Sequence, residues 1–352
     1  ALPWTGAADS SRHVDYVYSM YHGQLSDPWH TRYDIGLENP KEAANIPRSF
    51  PNGSSAHPPL HYAVMALFSG GLLEAGNWQA AVAVMRIVDI VIGLGCVALL
   101  AWAGWRLGGR HRQYFAVAVP AFSALITPFI IVAADVYNDP LTVLLATATL
   151  ALTAVALKVG PSWKLIAALA VLCSLGMLTK VSFASTLLLA VFFVGVGFLI
   201  HVRNKLKATG LALVAASAVA ASVVASSGWF YLRNHELSGS WFRSYPKFEI
   251  VGRDHQTFWD VLTNPGFWGV LPTGLLGIRT WENVLPINKS LSLALFLVAM
   301  AGFIYVAIKL FGRWRHSRWR STWRGTPRTS SPTAPTAPLR SPPRSAPAGN
   351  AR

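Results

Sequence analysis

A carboxylate four residues ahead of a histidine is the first chemically suggestive feature of this chain: Asp9 and His13 in the segment ADSSRHVDYVYSMYHGQL, with Asp15 two residues further on. If this stretch is helical, Asp9 and His13 share a face. A carboxylate held there against a membrane surface is suited to act as general base toward an acceptor hydroxyl; a solvated acidic loop is the plainer account. The segment SAHPPLHY, at 55–62, supplies His57 and His61. Their spacing resembles a metal pair, but Pro58 and Pro59 keep His57 out of the helix that carries His61. A histidine just ahead of a proline-started helix is better placed to meet an anion at the helix N-terminus. The turn ADVYNDPL offers Asp135, Asn138 and Asp139. Asn138 or Asp139 can cap the helix that starts near Pro140, which leaves Asp135 without a structural task. Three cations complete the set: Arg86, one turn before Asp89, then Lys180 in MLTKVS and Arg233 in GWFYLRN. Arg86 and Asp89 can pair within the membrane, where an unpaired charge is expensive. Lys180 and Arg233 can snorkel to headgroups or hold a phosphate, the arginine bidentately.

These residues have to be held by an apolar scaffold. Of 352 residues, 53% are hydrophobic and 13% charged, about half the charged share of a soluble domain. Apolar runs at 82–105, 114–134, 140–157, 163–179, 181–200, 208–232 and 290–311 approach or exceed the roughly 20 residues a span requires, so about seven transmembrane helices are expected. Residues 60–73 follow a double proline, contain Gly70-Gly71 and are short. They read as a helix lying at the interface.

Charge placement sets the orientation. The stretches 106–113, 158–164, 201–207 and 309–352 hold eighteen Lys or Arg and no Asp or Glu. Cytoplasmic loops are enriched in Lys and Arg, so residues 1–81, the turn at 135–139 and the loop 233–288 are expected outside, with the C-terminal tail cytoplasmic. The net charge of +15 is thereby a topology signal, and nucleic acid is not an expected partner. Cys96 and Cys173 fall within spans and read as small packing residues. The chain starts at Ala1 on the expected outer side, which predicts a first span upstream.

The domains expected are therefore 1–81, an external segment with an interfacial helix; 82–311, the transmembrane region; and 312–352, a basic tail. Loop 233–288 is dense in aromatics, among them Trp241, Trp259, Trp268 and Trp281, either rings lying at headgroup level or a platform for sugar. The tail opens with RWRHSRWR, suited to anionic headgroups, and continues rich in Pro, Ser, Thr and Ala, a composition that does not fold. No Walker-type loop, GxGxxG or Asp-x-Asp pair is present, which disfavours ATP-driven and nucleotide-sugar chemistry.

Taken in order, these motifs resemble the large membrane glycosyltransferases that use polyprenyl-phosphate sugars. That group includes the protein O-mannosyltransferases and the bacterial lipid A aminoarabinose transferases and shares the GT-C fold. Asp9 and His13 match its first-loop Asp and His, and HPPLHY at 57–62 matches its Pro-Pro motif. Arg86-Ile87, Asn138-Asp139, Gly176–Lys180 and Trp229–Asn234 match later stretches. Ser10 departs from the Glu common there. The resemblance implies an all-α, GT-C-like integral membrane protein, placed in a plasma membrane of bacterial type with its active face extracytoplasmic. Asp9 would be the catalytic base. His13, Asp15, His57, His61, Asp135, Asn138, Asp139, Lys180 and Arg233 would bind substrate. The donor would be a polyprenyl-phosphate-linked sugar and the acceptor an extracytoplasmic protein, lipid or glycan. Membrane lipid would surround the donor's tail, and a divalent cation would be a possible cofactor at Asp135 or Asp139. Two other classes fit the same composition: a transporter or flippase for a lipid-linked sugar or small solute, and a non-catalytic membrane protein that binds an envelope partner.

Overall fold

A computed structural model describes residues 10–25, 53–124, 126–239, 241 and 257–276, with short stretches at 278–279, 284–285, 290, 293–298, 300–302 and 304–305. The protein is an all-α membrane protein. The elements are α1 (Ser10–Tyr21), α2 (Leu60–Glu74), α3 (Trp78–Leu107), α4 (Arg112–Ser123), α5 (Thr127–Ala133), α6 (Asp139–Val159), α7 (Trp163–Met177), α8 (Ala184–His201), α9 (Lys205–Ser238), α10 (Phe258–Thr263) and α11 (Pro265–Leu276). A two-residue antiparallel ladder joins Ile278–Arg279 to Val284–Leu285. Two compact units are present, Ala1–Leu293 and Ala294–Arg352. In the second, the described residues are helical.

Four helices among the described residues are long and apolar enough to cross a membrane: Trp78–Leu107, Asp139–Val159, Val181–His201 and Lys205–Ser238. The expected spans differ from this set in particular places. Helix α7 has 15 residues, about 22 Å of rise, against a hydrocarbon core of roughly 30 Å. The run 114–134 is not one helix: α4 ends at Ser123 and α5 starts at Thr127, with a proline at its first turn. Pro128 lacks an N–H and crowds the residue before it, which favours a new helix starting there. Helix α9 outruns its predicted span: its 34 residues, closed by Gly239 at φ 71°, put Arg233 within a helix instead of a loop. The expected loop 233–288 holds α10 and α11 as well. Ten of the 22 residues of 290–311 and all of the tail lie outside the described residues. The residues expected to form an interfacial helix form α2, 15 residues long.

The apolar core falls into two clusters. Leu145, Ile166, Leu169, Cys173, Phe183, Val194, Phe198, Val219 and Phe230 knit α6, α7, α8 and α9 together. Val14, Tyr16, Val17, Tyr62, Met65, Leu73, Val82, Met85 and Val136 join α1 and α2 to the first third of α3. Both cysteines are buried.

Chain direction gives the bundle two unlike ends. At one, Lys158 donates to the carbonyls of Arg106 and Leu107, and His201 meets the carbonyl of Leu157. Cations at helix C-termini satisfy leftover carbonyls and suit the dipole. Helices α3, α6 and α8 end here, while α7 and α9 start here behind Ser162 and Asn204, whose side chains accept from Leu165 and Lys207 N–H. At the other end lie the start of α6, the end of α7 and the last turns of α9.

Near the basic end, α3 turns tightly into α4 at a buried glycine. A Cβ on Gly104 would meet the Phe115 carbonyl oxygen, 2.6 Å from its carbon, and lie 2.9 Å from Ala116 N. The obstacle is backbone, which cannot rotate away. Gly104→Ala is therefore expected to destabilise by about 1–3 kcal/mol from overpacking, outweighing the roughly 1 kcal/mol gain in helix propensity. Thermal unfolding in detergent tests this; a raised midpoint would show that propensity wins.

Candidate functional site

The non-basic end collects the residues singled out in the sequence. Helix α1 lays its buried face on α2, and His13 on that face is 4% exposed. Its Nδ1 lies 2.8 Å from the Tyr62 hydroxyl, its ring stacks parallel to His57 at 6.3 Å, and Tyr137 meets it edge-on at 5.1 Å. Asp9 lies outside the described residues. Asp15 is buried, but two residues on from His13 it lies on a different side of α1.

His57 precedes α2, as the prolines require. Of the donors at the start of α2, Leu60 N–H is used by the Leu178 carbonyl at 3.0 Å. That bond ties the Pro-Pro turn to the end of α7. The Tyr16 hydroxyl reaches the His57 carbonyl at 3.3 Å. Burial raises the Tyr16 phenol above its ordinary range, so it stays a donor.

Asp135 acquires the task that the sequence left open. It is fully buried and accepts from Ser10 Oγ at 2.7 Å, Arg86 Nη2 at 3.1 Å and Val136 N–H at 2.9 Å. It thereby joins the start of α1, the first third of α3 and the turn before α6. Arg86 does not pair with Asp89, as local spacing suggested. Asp89 accepts from Tyr137 N–H at 3.4 Å and faces His61 Nδ1 at 3.9 Å, with both side chains fully buried. Two expectations for the turn also change. Asn138 makes no side-chain cap; its amide donates to the Thr179 carbonyl at 3.3 Å. Asp139 accepts from Lys180 Nζ at 2.7 Å, so the lysine is engaged by a carboxylate. Arg233 Nη2 donates to the Leu25 carbonyl at 2.8 Å.

Six stretches far apart in sequence therefore meet: α1, the Pro-Pro turn, α3 at 86–89, the turn 135–139, residues 178–180 and Arg233. Ser10, Tyr62, Tyr137 and Arg86 as the partner of Asp135 were not singled out for the site. Ser10 lies 125 residues from Asp135, and no local spacing announces such a contact. As for a divalent cation, the Asp135 and Asp139 carboxylates are engaged by Arg86 and Lys180, and no three His, Cys, Asp or Glu side chains are grouped so as to hold a metal ion among the described residues.

His13 and His61 are kept neutral. Burial, joined by facing His57, His61, Lys180 and Arg12, holds the His13 imidazole well below the usual range. Burial, with His57 and Lys180, pushes His61 from the ordinary 6.5 to about 3. As pH falls, the unfolded chain therefore takes a proton on His13 first, so the stability contributed by that neutral imidazole is present above the unfolded value of 6.5 and is lost as pH drops below it. The thermal midpoint in detergent is expected to hold near neutrality and drop progressively between about pH 6.5 and pH 4.5. The drop should shrink in His13→Gln; a flat profile in the parent protein would refute the buried neutral imidazole.

The arrangement presents imidazoles, an ammonium and guanidinium groups beside the start of α1, and pre-positioned cations of this kind suit a developing anion. Comparison with family models, characterised proteins and solved structures finds no match.

Proposed function

We propose that this chain is a membrane glycosyltransferase that moves a sugar from a polyprenyl-phosphate donor to an acceptor hydroxyl, with inversion. The observation that carries the reading is the convergence of His13, His57, Lys180, the Arg86–Asp135 pair and Arg233 at the end of the bundle opposite the basic one. Positively charged loops face the cytoplasm, which puts this end on the extracytoplasmic side and the basic tail inside. The donor's lipid chain lies among the apolar helices. Its phosphate is met by His57, Lys180 or Arg233, and Asp9, next in sequence to the anchored Ser10, removes the acceptor proton. The oxygen attacks the anomeric carbon as the polyprenyl phosphate departs, its growing charge stabilised by those cations.

The test is binding of a panel of labelled polyprenyl-phosphate sugars to the detergent-purified chain and to Lys180→Ala and Arg233→Ala. Removing one charge-assisted contact is worth about 1.5–3 kcal/mol, so affinity should fall roughly tenfold or more. Equal binding by all three proteins would sink the phosphate site.

One observation favours a second reading. His61 and Asp89 are both fully buried within the helices, and ionisable residues at membrane depth mark ion and proton paths in transporters. Movement of labelled substrate across vesicles without transfer to an acceptor would select a transporter or flippase.

A further inference from the structure

The buried pair His61–Asp89 has no task in the transfer step outlined above, yet it adjoins the cationic cluster. Among the described residues, neither ring nitrogen of His61 has a hydrogen-bond partner, and Asp89 Oδ1 has none either. The gap between them is 3.9 Å and both side chains are fully buried. The two other carboxylates of the cluster, by contrast, are met by cations: Asp135 by Arg86 and Asp139 by Lys180.

Counting protons shows what this geometry permits. With none on the pair, Asp89 is an anion sealed from water with a single long N–H contact, at a cost too large to leave unanswered. With two, His61 is a buried imidazolium facing His57 and Lys180. One proton leaves the pair net neutral, as acid and neutral imidazole, and this is the least costly state. The charged and titratable groups around it come from every neighbouring element: Arg12 and His13 on α1, His57 and Tyr62 about the Pro-Pro turn, Arg86 on α3, Asp135, Tyr137 and Asp139 in the turn before α6, and Lys180 after α7. An anion entering among His13, His57 and Lys180 reverses the balance, because an opposite charge nearby favours the protonated imidazole.

We infer that anion binding at this cluster is proton-linked: the His61–Asp89 pair holds one proton at rest and takes up a second from solvent when a phosphate monoester settles beside His57 and Lys180. The inference rests on the phosphate reading and adds its regulation. The incoming proton bonds to an imidazole nitrogen of His61 and returns to solvent when the phosphate leaves. By linkage, affinity falls about tenfold per unit rise in pH while one proton is taken up. A lipid-phosphate carrier would then be held more firmly on an acidified membrane face.

The experiment is calorimetric titration of the full chain in detergent with farnesyl phosphate and, separately, farnesyl sulfate, in two buffers of different ionisation enthalpy. The sulfate monoester does not titrate near neutrality, so any proton taken up with it belongs to the protein. The expected result is uptake of about one proton per ligand with either probe, with the uptake lost in His61→Gln and kept in Asp89→Asn, whose amide stands in for the protonated acid. Binding of both probes to the parent protein with no buffer dependence overturns the inference and leaves the phosphate reading standing. Undiminished uptake in a folded His61→Gln overturns it as well, by assigning the proton elsewhere. Should both variants fail to fold, the sulfate titration of the parent protein still decides. Absence of binding by either probe removes the phosphate reading, and the proton linkage with it.

Discussion

Asp135→Ala is expected to lower the stability of the folded chain by about 3–5 kcal/mol, the cost of leaving a buried ion without its partner. The magnitude follows from burial. Asp135 is fully inaccessible and the Arg86 side chain is 15% exposed, so water cannot replace the lost carboxylate. The substitution also strands the Ser10 hydroxyl and the Val136 N–H, both of which donate to it. Replacing Arg86 and Asp135 together with leucines should recover much of the loss, because an apolar pair of similar volume avoids the desolvation penalty. Thermal unfolding of the single and double variants in one detergent measures both effects. A single-variant loss under about 1 kcal/mol would show the pair to be solvent-screened, as surface pairs are.

The second large effect belongs to the proposed chemistry. Asp9→Asn is expected to cut sugar transfer by about 10²–10⁴-fold, the usual contribution of a positioned general base. Donor binding should be retained, because the phosphate is assigned to His57, Lys180 and Arg233. Asn matches Asp in shape but cannot accept the acceptor's proton. The neighbouring Ser10 is anchored to Asp135 at 2.7 Å, so Ser10→Ala should cost less than Asp9→Asn and act by loosening the start of α1. Transfer measured in vesicles, alongside donor binding, separates the two. Undiminished turnover in Asp9→Asn would take this residue out of the mechanism.

Much of the candidate site could be read from residue type alone. His13, Asp135, Asn138, Asp139, Lys180 and Arg233 were picked out as polar groups punctuating apolar runs, and the structure gathers them at one end of the bundle. Their partners were a different matter. Arg86 and Asp89, three apart on one helix, were the natural local pair, but the structure gives Arg86 to Asp135, 49 residues away. Asn138 was expected to cap its own helix and instead bonds the Thr179 carbonyl, 41 residues on.

The sequence by itself determined the all-α membrane character and the contrast between a basic and a non-basic end. Both are local properties: an unbroken apolar run must satisfy its backbone within a helix when lipid offers no partners, and loop charge is counted residue by residue. Only the tertiary structure decided that α9 carries Arg233 on a helix and which cation meets which carboxylate. Those pairings depend on how far each helix is rotated and shifted against its neighbours. Close fits between helices, such as Gly104 against Phe115 and Tyr62 against Tyr16 and His13, constrain such rotations, and the hydropathy of any one segment does not encode them.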